Sequence, residues 1–313
     1  MNLTDPIFTD ADKARAHLEK TRWPHGPVCP HCGVVNEATA IKGKSARAGL
    51  YQCNACREQF TVTVGTVFER SKVPLNKWLL ATYLMSSSKK GISAHQIGRT
   101  LGVTYKTAWF MCHRIREAMT DRTGGTPMGG DGKVVEADET VIGGKERNKR
   151  LSKRNPKNIG AVGKQICFSL VERGGRVRSF HVPSVNAKTL RPIITKHVRR
   201  ESTFMTDDAG QYRIIGPEFA RYESVNHGAD EYVRGDAYTN TIEGFFSILK
   251  RGINGVYHHV SEAHLSRYLA EFDFRYSNRV ALGVNDTMRT DEALRMIAGK
   301  RLTYRRTGEA AHA

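Results

Sequence analysis

The chain has 313 residues, 39% of them hydrophobic and 26% charged, which suits a soluble globular protein of about two domains. Forty-nine Lys and Arg against 31 Asp and Glu leave a formal net charge of +18, a balance that attracts polyanions, duplex DNA foremost. No apolar run approaches the roughly 20 residues of a membrane span, and the opening MNLTDPIFTDADKARAHLEK has no basic stretch followed by an apolar one. A membrane partner and a signal peptide are therefore not expected, and the cytoplasm or nucleoid is the expected location.

Residues 5–20 read as a short helix with Asp10 as N-cap. A Gly- and Pro-rich segment with short β-prone runs follows, and the first domain is drawn at 1–66. Residues 67–120 turn helical, with Trp78, Leu79, Tyr83 and Leu84 on one face and periodic segments at 93–101 and 104–119. Residues 121–133, DRTGGTPMGGDGK, carry five glycines and a proline and read as a linker. Strands are then expected at 133–142, 164–172, 176–182, 202–206 and 222–226. Helices are expected at 186–199, 210–215, 239–250 and 261–278. That order, β-β-β-α-β-α-β-α with a helical tail, defines a domain over 134–290, and 291–313 reads as a C-terminal tail.

Four of the six cysteines form two pairs, Cys29-x2-Cys32 and Cys53-x2-Cys56, separated by 20 residues. Two intervening residues let a tight knuckle aim both sulfurs at one metal, and two knuckles supply the four thiolates of tetrahedral zinc. A closed four-thiolate site has no open position, so this zinc is expected to be structural.

Residues 91–118, GISAHQIGRTLGVTYKTAWFMCHRIREA, read as helix, glycine turn, basic helix. This is the helix-turn-helix pattern; an ordinary helical hairpin has the same outline. Under the first reading the second helix offers Tyr105, Lys106, Thr107, His113, Arg114 and Arg116, with base contacts at its polar N-terminal end.

Three carboxylates sit where metal-dependent phosphoryl transfer needs them. Asp138 lies in the first strand of the second domain, Asp207 ends the fourth, and Glu243 opens a helix. A first strand, a fourth strand and a later helix suit a ribonuclease H-like α/β fold, a mixed sheet with flanking helices. Glu136 shares a strand face with Asp138, and Asp208 adjoins Asp207, so spacing leaves both choices open. Asn240 and Lys250 lie on the helical face of Glu243; the lysine suits a DNA phosphate and the asparagine a neutral metal ligand.

VEADETVIGGKERNKR, TDDAGQY and YTNTIEGFFSILKRGINGVYHHVSEAHLSRYLAEFDFRYSNR resemble signature blocks of the ISXO-like insertion-sequence transposases, and CPHCG…CNAC resembles the zinc ribbon preceding that domain. The resemblance runs over roughly residues 20–290. It implies a DDE-type enzyme with a ribonuclease H-like core that cuts and joins DNA with two Mg²⁺ ions. The family's aspartates fall on Asp138 and Asp207, its third ligand on Glu243 or Asn240, and its downstream lysine on Lys250. Tyr238 stands where the family pattern has histidine.

On this reading the partners are double-stranded DNA, both the element's terminal inverted repeats and the target, and a second copy of the chain in a dimer or larger assembly. Residues 145–157, with seven Lys/Arg against one Glu, are expected to track DNA backbone through Lys149, Arg150, Lys153 and Arg154. Arg251 and His258 join Lys250 as expected DNA contacts. Phe272, Phe274 and Tyr276 read as core. A zinc-ribbon regulator with an inert second domain and a nuclease that cuts without joining are the competing readings.

Overall fold

The computed structural model describes residues 1–303 apart from 44, 122–124, 145, 158–161 and 227–232, and leaves out the side chain of residue 153. The chain divides into two compact units, Met1–Met119 with Val284–Ala313, and Thr120–Gly283.

In the first unit, α1 (Ala11–Arg22) starts at Asp10, whose carboxylate accepts the N–H groups of Asp12 and Lys13. The expected helix over 5–20 is thus two pieces, a single turn at Pro6–Phe8 and then α1. Strands β1 (Ala38–Ala40), β2 (Tyr51–Cys53) and β3 (Gln59–Phe60) form a small antiparallel sheet. Trp23, Tyr51 and Phe60 pack ring against ring behind it. Three helices follow: α2 (Leu75–Ser87), α3 (Ala94–Leu101) and α4 (Tyr105–Met119). Ser93 caps α3, and Gly102 closes it in the left-handed conformation at φ 62°, so the chain turns directly into α4.

Helix α9 (Asp286–Arg295) belongs to this unit, not to the second domain or to a tail. Ala293, Leu294 and Ile297 are buried, and α9 packs on α1, α2 and α4. Arg289 donates to the Ser86 carbonyl, Val67 N–H to Ile297, and Lys300 to Ala118.

The second unit is a five-stranded mixed sheet ordered β6-β5-β4-β7-β8. Its strands are β4 (Val134–Ile142), β5 (Gln165–Glu172), β6 (Val177–Val182), β7 (Thr203–Asp207) and β8 (Arg221–Val225). β4, β5 and β6 run antiparallel in sequence; β7 and β8 add parallel to β4. One face of the sheet, with Val135, Ala137, Phe168 and Phe204, packs on α5 (Ala187–His197) and α6 (Gly210–Ile215). The other, with Ile142, Cys167 and Val171, packs on α7 (Asn240–Gly252) and α8 (Glu262–Ser277). The segment expected to be a linker is partly built in: Met128 is fully buried and exchanges backbone hydrogen bonds with His197 and Arg199. No helix among the described residues is long and apolar enough to cross a membrane.

Candidate metal centre and acidic site

The four paired cysteines converge, their sulfurs lying within 4.8 Å of one another. Cys29 and Cys56 Sγ are 3.6 Å apart, as are Cys32 and Cys53. A tetrahedral zinc with Zn–S bonds of about 2.3 Å sets sulfurs roughly 3.8 Å apart, so the donor set fits zinc. The two knuckles are built alike. Gly33 N–H donates to the Cys29 carbonyl and Arg57 N–H to that of Cys53, each donor being left-handed, at φ 80° and 65°. In the second knuckle Cys56 N–H also points at Cys53 Sγ.

In the second unit the sheet's parallel register generates the acidic site. Glu136 of β4 pairs with Met205 of β7, so two residues further on Asp138 comes level with Asp207, on the same face. That face is covered by α7. Glu136 is fully buried; one carboxylate oxygen accepts Arg173 Nε at 2.6 Å and the other accepts the N–H of Ile242, in the first turn of α7, at 2.9 Å. Glu243 follows directly, its side chain accepting from Thr239 Oγ1 at 3.2 Å while its N–H donates to the Thr239 carbonyl. Burial, then the negative charges of Glu139, Asp207 and Glu243, push the Asp138 carboxyl up to about 7 against one favourable backbone N–H from Glu139. Glu136 and Asp138 therefore differ in kind: the first is consumed by structure, the second faces other carboxylates.

The two neighbouring aspartates differ in their surroundings as well. Asp208 is held by Arg213 through two hydrogen bonds of 2.9 and 2.6 Å, which lowers its carboxyl pKa. Asp207 instead contributes to the field on Asp138, Glu139 and Tyr212.

Three residues that the sequence reading passed over belong here. Glu139 adds a fourth carboxylate, held by the buried Tyr212 hydroxyl at 2.5 Å and raised mainly by burial. Arg173, besides gripping Glu136, donates to the carbonyls of Asp236 and Tyr238 and lies 3.5 Å from the centre of the Tyr238 ring. The tyrosine that departs from the family pattern is thus part of the arginine's socket. The signals were present: Glu139 adjoins Asp138, and Tyr212 closes the TDDAGQY block.

Asn240 and Lys250 are exposed on α7, three residues before and seven after Glu243. Arg251 is exposed beside Lys250. Helix α7 runs on into one wider turn, Ile253–Tyr257, which ends at His258 with φ 59° and its Nδ1 near the Asn254 carbonyl. The basic segment folds on itself: Lys149 pairs with Glu146 at 2.7 Å, and Arg154 donates to the Lys149 and Arg147 carbonyls. Arg150 is exposed, and the Lys153 side chain lies outside the described residues. In the first unit Tyr105 and Lys106 are exposed at the start of α4, Thr107 is half-buried, and Tyr105 stacks on His95 at 4.1 Å. Arg114 departs from the expected DNA contact. It is 7% exposed, donates to the Glu69 carbonyl and lies over Trp78 and Phe110, and burial lowers its pKa. His113 and Arg116 are buried too.

Residues 129–277 match the ISXO2-like transposase domain, and residues 9–59 match the transposase zinc-ribbon domain. Over 285 residues the chain is 31% identical to an uncharacterised protein in transposable element ISH50 of Halobacterium salinarum, covering 86% of this chain and 92% of that one. Over 104 residues it is 29% identical to an uncharacterised transposase-like protein of Haemophilus influenzae, covering 33% of this chain and 82% of that one. The two units, a zinc-ribbon module and a mixed α/β domain with an acidic site, are thus those of an insertion-sequence transposase. The chain belongs to the ISXO2-like transposase family.

Proposed function

We propose that the second unit is a ribonuclease H-like DDE catalytic domain that cuts and joins DNA, and that Asp138, Asp207 and Glu243 are its metal ligands, with Asn240 as the alternative third. The observation that carries this is the parallel register of β4 and β7, paired up to Glu136 and Met205, which brings Asp138 and Asp207 level two residues further on, under a helix whose Glu243 adds to the charge on Asp138. The strand order and the carboxylates' places on first strand, fourth strand and later helix support the same fold.

Carboxylates are the hard oxygen donors that Mg²⁺ prefers, and the mutual repulsion at Asp138 is what a divalent cation relieves. Two such ions, when bound, supply charge stabilisation for the attacking and leaving oxygens of an in-line displacement. The chain's own residues do the rest. Asp138 and Asp207 hold the acidic pair on a rigid sheet; Glu136 and Thr239 fix the start of α7 and so the reach of Glu243. Lys250 and Arg251 neutralise DNA phosphates, and His258 adds a contact beyond α7. Lys149, Arg150, Lys153 and Arg154 line the DNA backbone. A water attacks the donor phosphodiester and frees a 3′-OH, which then attacks the target.

The first unit recognises the terminal inverted repeats, its zinc ribbon beside a helix-turn-helix whose reading end is Tyr105, Lys106 and Thr107. Pairing two element ends requires a dimer or larger assembly on DNA, in the nucleoid. The test is a strand-transfer assay with purified protein, Mg²⁺, a labelled duplex carrying the element's terminus and a supercoiled target. Joined product that vanishes in Asp207→Asn supports the reading. End binding without cleavage under any divalent metal overturns it in favour of a regulator, and cleavage without joining in favour of a nuclease.

A further inference from the structure

Arg173 directly follows β5, and its backbone N–H bonds to the Val134 carbonyl at the start of β4. Its side chain, 17% exposed, turns inward. Nε donates to Glu136 at 2.6 Å and Nη1 to the Asp236 carbonyl at 3.1 Å. Nη2 donates to the Tyr238 carbonyl at 2.7 Å and to Met205 Sδ at 2.9 Å. The guanidinium carbon lies 3.5 Å from the centre of the Tyr238 ring. One side chain thus ties β4, β7 and the segment entering α7. That segment is fixed twice more: Arg234 and Ala237 exchange backbone hydrogen bonds, and the second Glu136 oxygen accepts the Ile242 N–H.

An arginine beside an acidic site invites two other readings. As a contact to a DNA phosphate it would turn its nitrogens outward, yet all three donate to protein. As a plain counter-charge any cation would serve, yet a planar fork that meets a carboxylate, two carbonyls and a ring uses geometry that lysine lacks. What remains is placement. Asp138 and Asp207 are fixed by the register of β4 and β7. Glu243 comes from a helix, whose start must be set against that sheet separately. We infer that Arg173 is a positioning residue of the acidic site: through Glu136 and the Asp236 and Tyr238 carbonyls it sets where α7 begins, and so where Glu243 meets Asp138, while Tyr238 holds the guanidinium in that pose. The inference rests on the reading of Asp138, Asp207 and Glu243 as metal ligands and adds what places the third.

The test is Mn²⁺ binding to the full zinc-loaded chain, read from the electron paramagnetic resonance signal of free Mn²⁺ well below each variant's melting temperature. Arg173→Lys keeps the charge and loses the fork. It binds Mn²⁺ about tenfold more weakly, the scale of losing a residue that orients metal ligands, and excess Mn²⁺ restores its strand joining. Tyr238→Leu weakens binding in the same direction, and Tyr238→Phe, which keeps the ring, restores it. Where Arg173→Lys fails to fold, the two Tyr238 variants decide alone. Unaltered Mn²⁺ affinity in folded Arg173→Lys, or in Tyr238→Leu, overturns the inference, while loss of binding in Asp207→Asn keeps the metal-ligand reading. A chain that binds no more Mn²⁺ than its Asp207→Asn variant overturns both.

Discussion

Glu136 of β4 accepts the backbone N–H of Ile242 at 2.9 Å, across 106 positions of sequence. That bond joins the strand bearing Asp138 to the helix bearing Glu243, so the two acidic residues are positioned by a third that serves neither as their equivalent nor as their neighbour in solvent.

Glu136 and Asp138 should therefore separate cleanly on substitution. Glu136→Ala strands the Arg173 guanidinium and an α7 N–H, and removing one member of a buried pair costs about 3 kcal/mol or more. Asp138→Asn removes a carboxyl whose ionised form burial and the neighbouring carboxylates disfavour, its pKa being raised to about 7, so its unfolding midpoint stays the same or rises while joined DNA product disappears. Thermal unfolding beside the joining assay reads both; a large loss of stability in Asp138→Asn contradicts the assignment.

On α4, Lys106 and Arg114 lie two turns apart in opposite circumstances. Lys106→Ala should lower DNA affinity and reduce the slope of log K against log salt by about 1, with the melting temperature unchanged. Arg114→Ala should cost about 2 kcal/mol of stability, from the lost hydrogen bond to Glu69 and the contacts over Trp78 and Phe110. The same salt titration and a melting curve distinguish them.

Each chain should carry one zinc ion by metal analysis. Cys53→Ser should lose it, and a strong chelator should unfold the β1–β3 module, because binding at such a site is folding free energy. Loss of zinc with unchanged circular dichroism and unchanged protease resistance around residues 29–60 would contradict a structural role.

Asp273 on α8 predicts a pH dependence. Its carboxyl accepts the N–H and hydroxyl of Ser179 at 2.7 and 2.6 Å, yet burial outweighs these bonds and raises it to about 7. The folded chain thus keeps a proton that the unfolded chain releases between about pH 4 and 7, so this group makes stability fall as pH rises through that window. The residue as a whole retains some solvent contact, which limits the effect to about 1–3 kcal/mol. Urea unfolding at pH 5 and pH 8, with Asp273→Asn as the less pH-sensitive comparison, measures it.

Much of this was legible from local pattern. Asp10, Ser93 and Gly102 mark helix ends by cap chemistry alone, and the two CxxC pairs specify their metal because the knuckle geometry is itself local. The order of elements in the second unit follows from hydrophobic period. What was not legible depends on contacts distant in sequence. Glu136 and Asp138 have the same parity, so only the partners Arg173 and Ile242 tell them apart; Asp207 and Asp208 are told apart by Arg213. Arg114 looked like a DNA contact because basic residues of a helix declare charge but not which way they face. Helix α9 looked like a tail because its few apolar residues reveal their role only when α2 supplies the other half of the contact.

The homing of α9 has a consequence for how the protein is made. Residues that complete the N-terminal unit are translated after the whole acidic domain, so a ribosome must pass position 300 before the zinc-ribbon unit can close around Ile297 and Lys300. A message cut short inside the acidic domain cannot yield a fully formed N-terminal unit. Premature stops should give inert, protease-sensitive products, not dominant inhibitors of transposition.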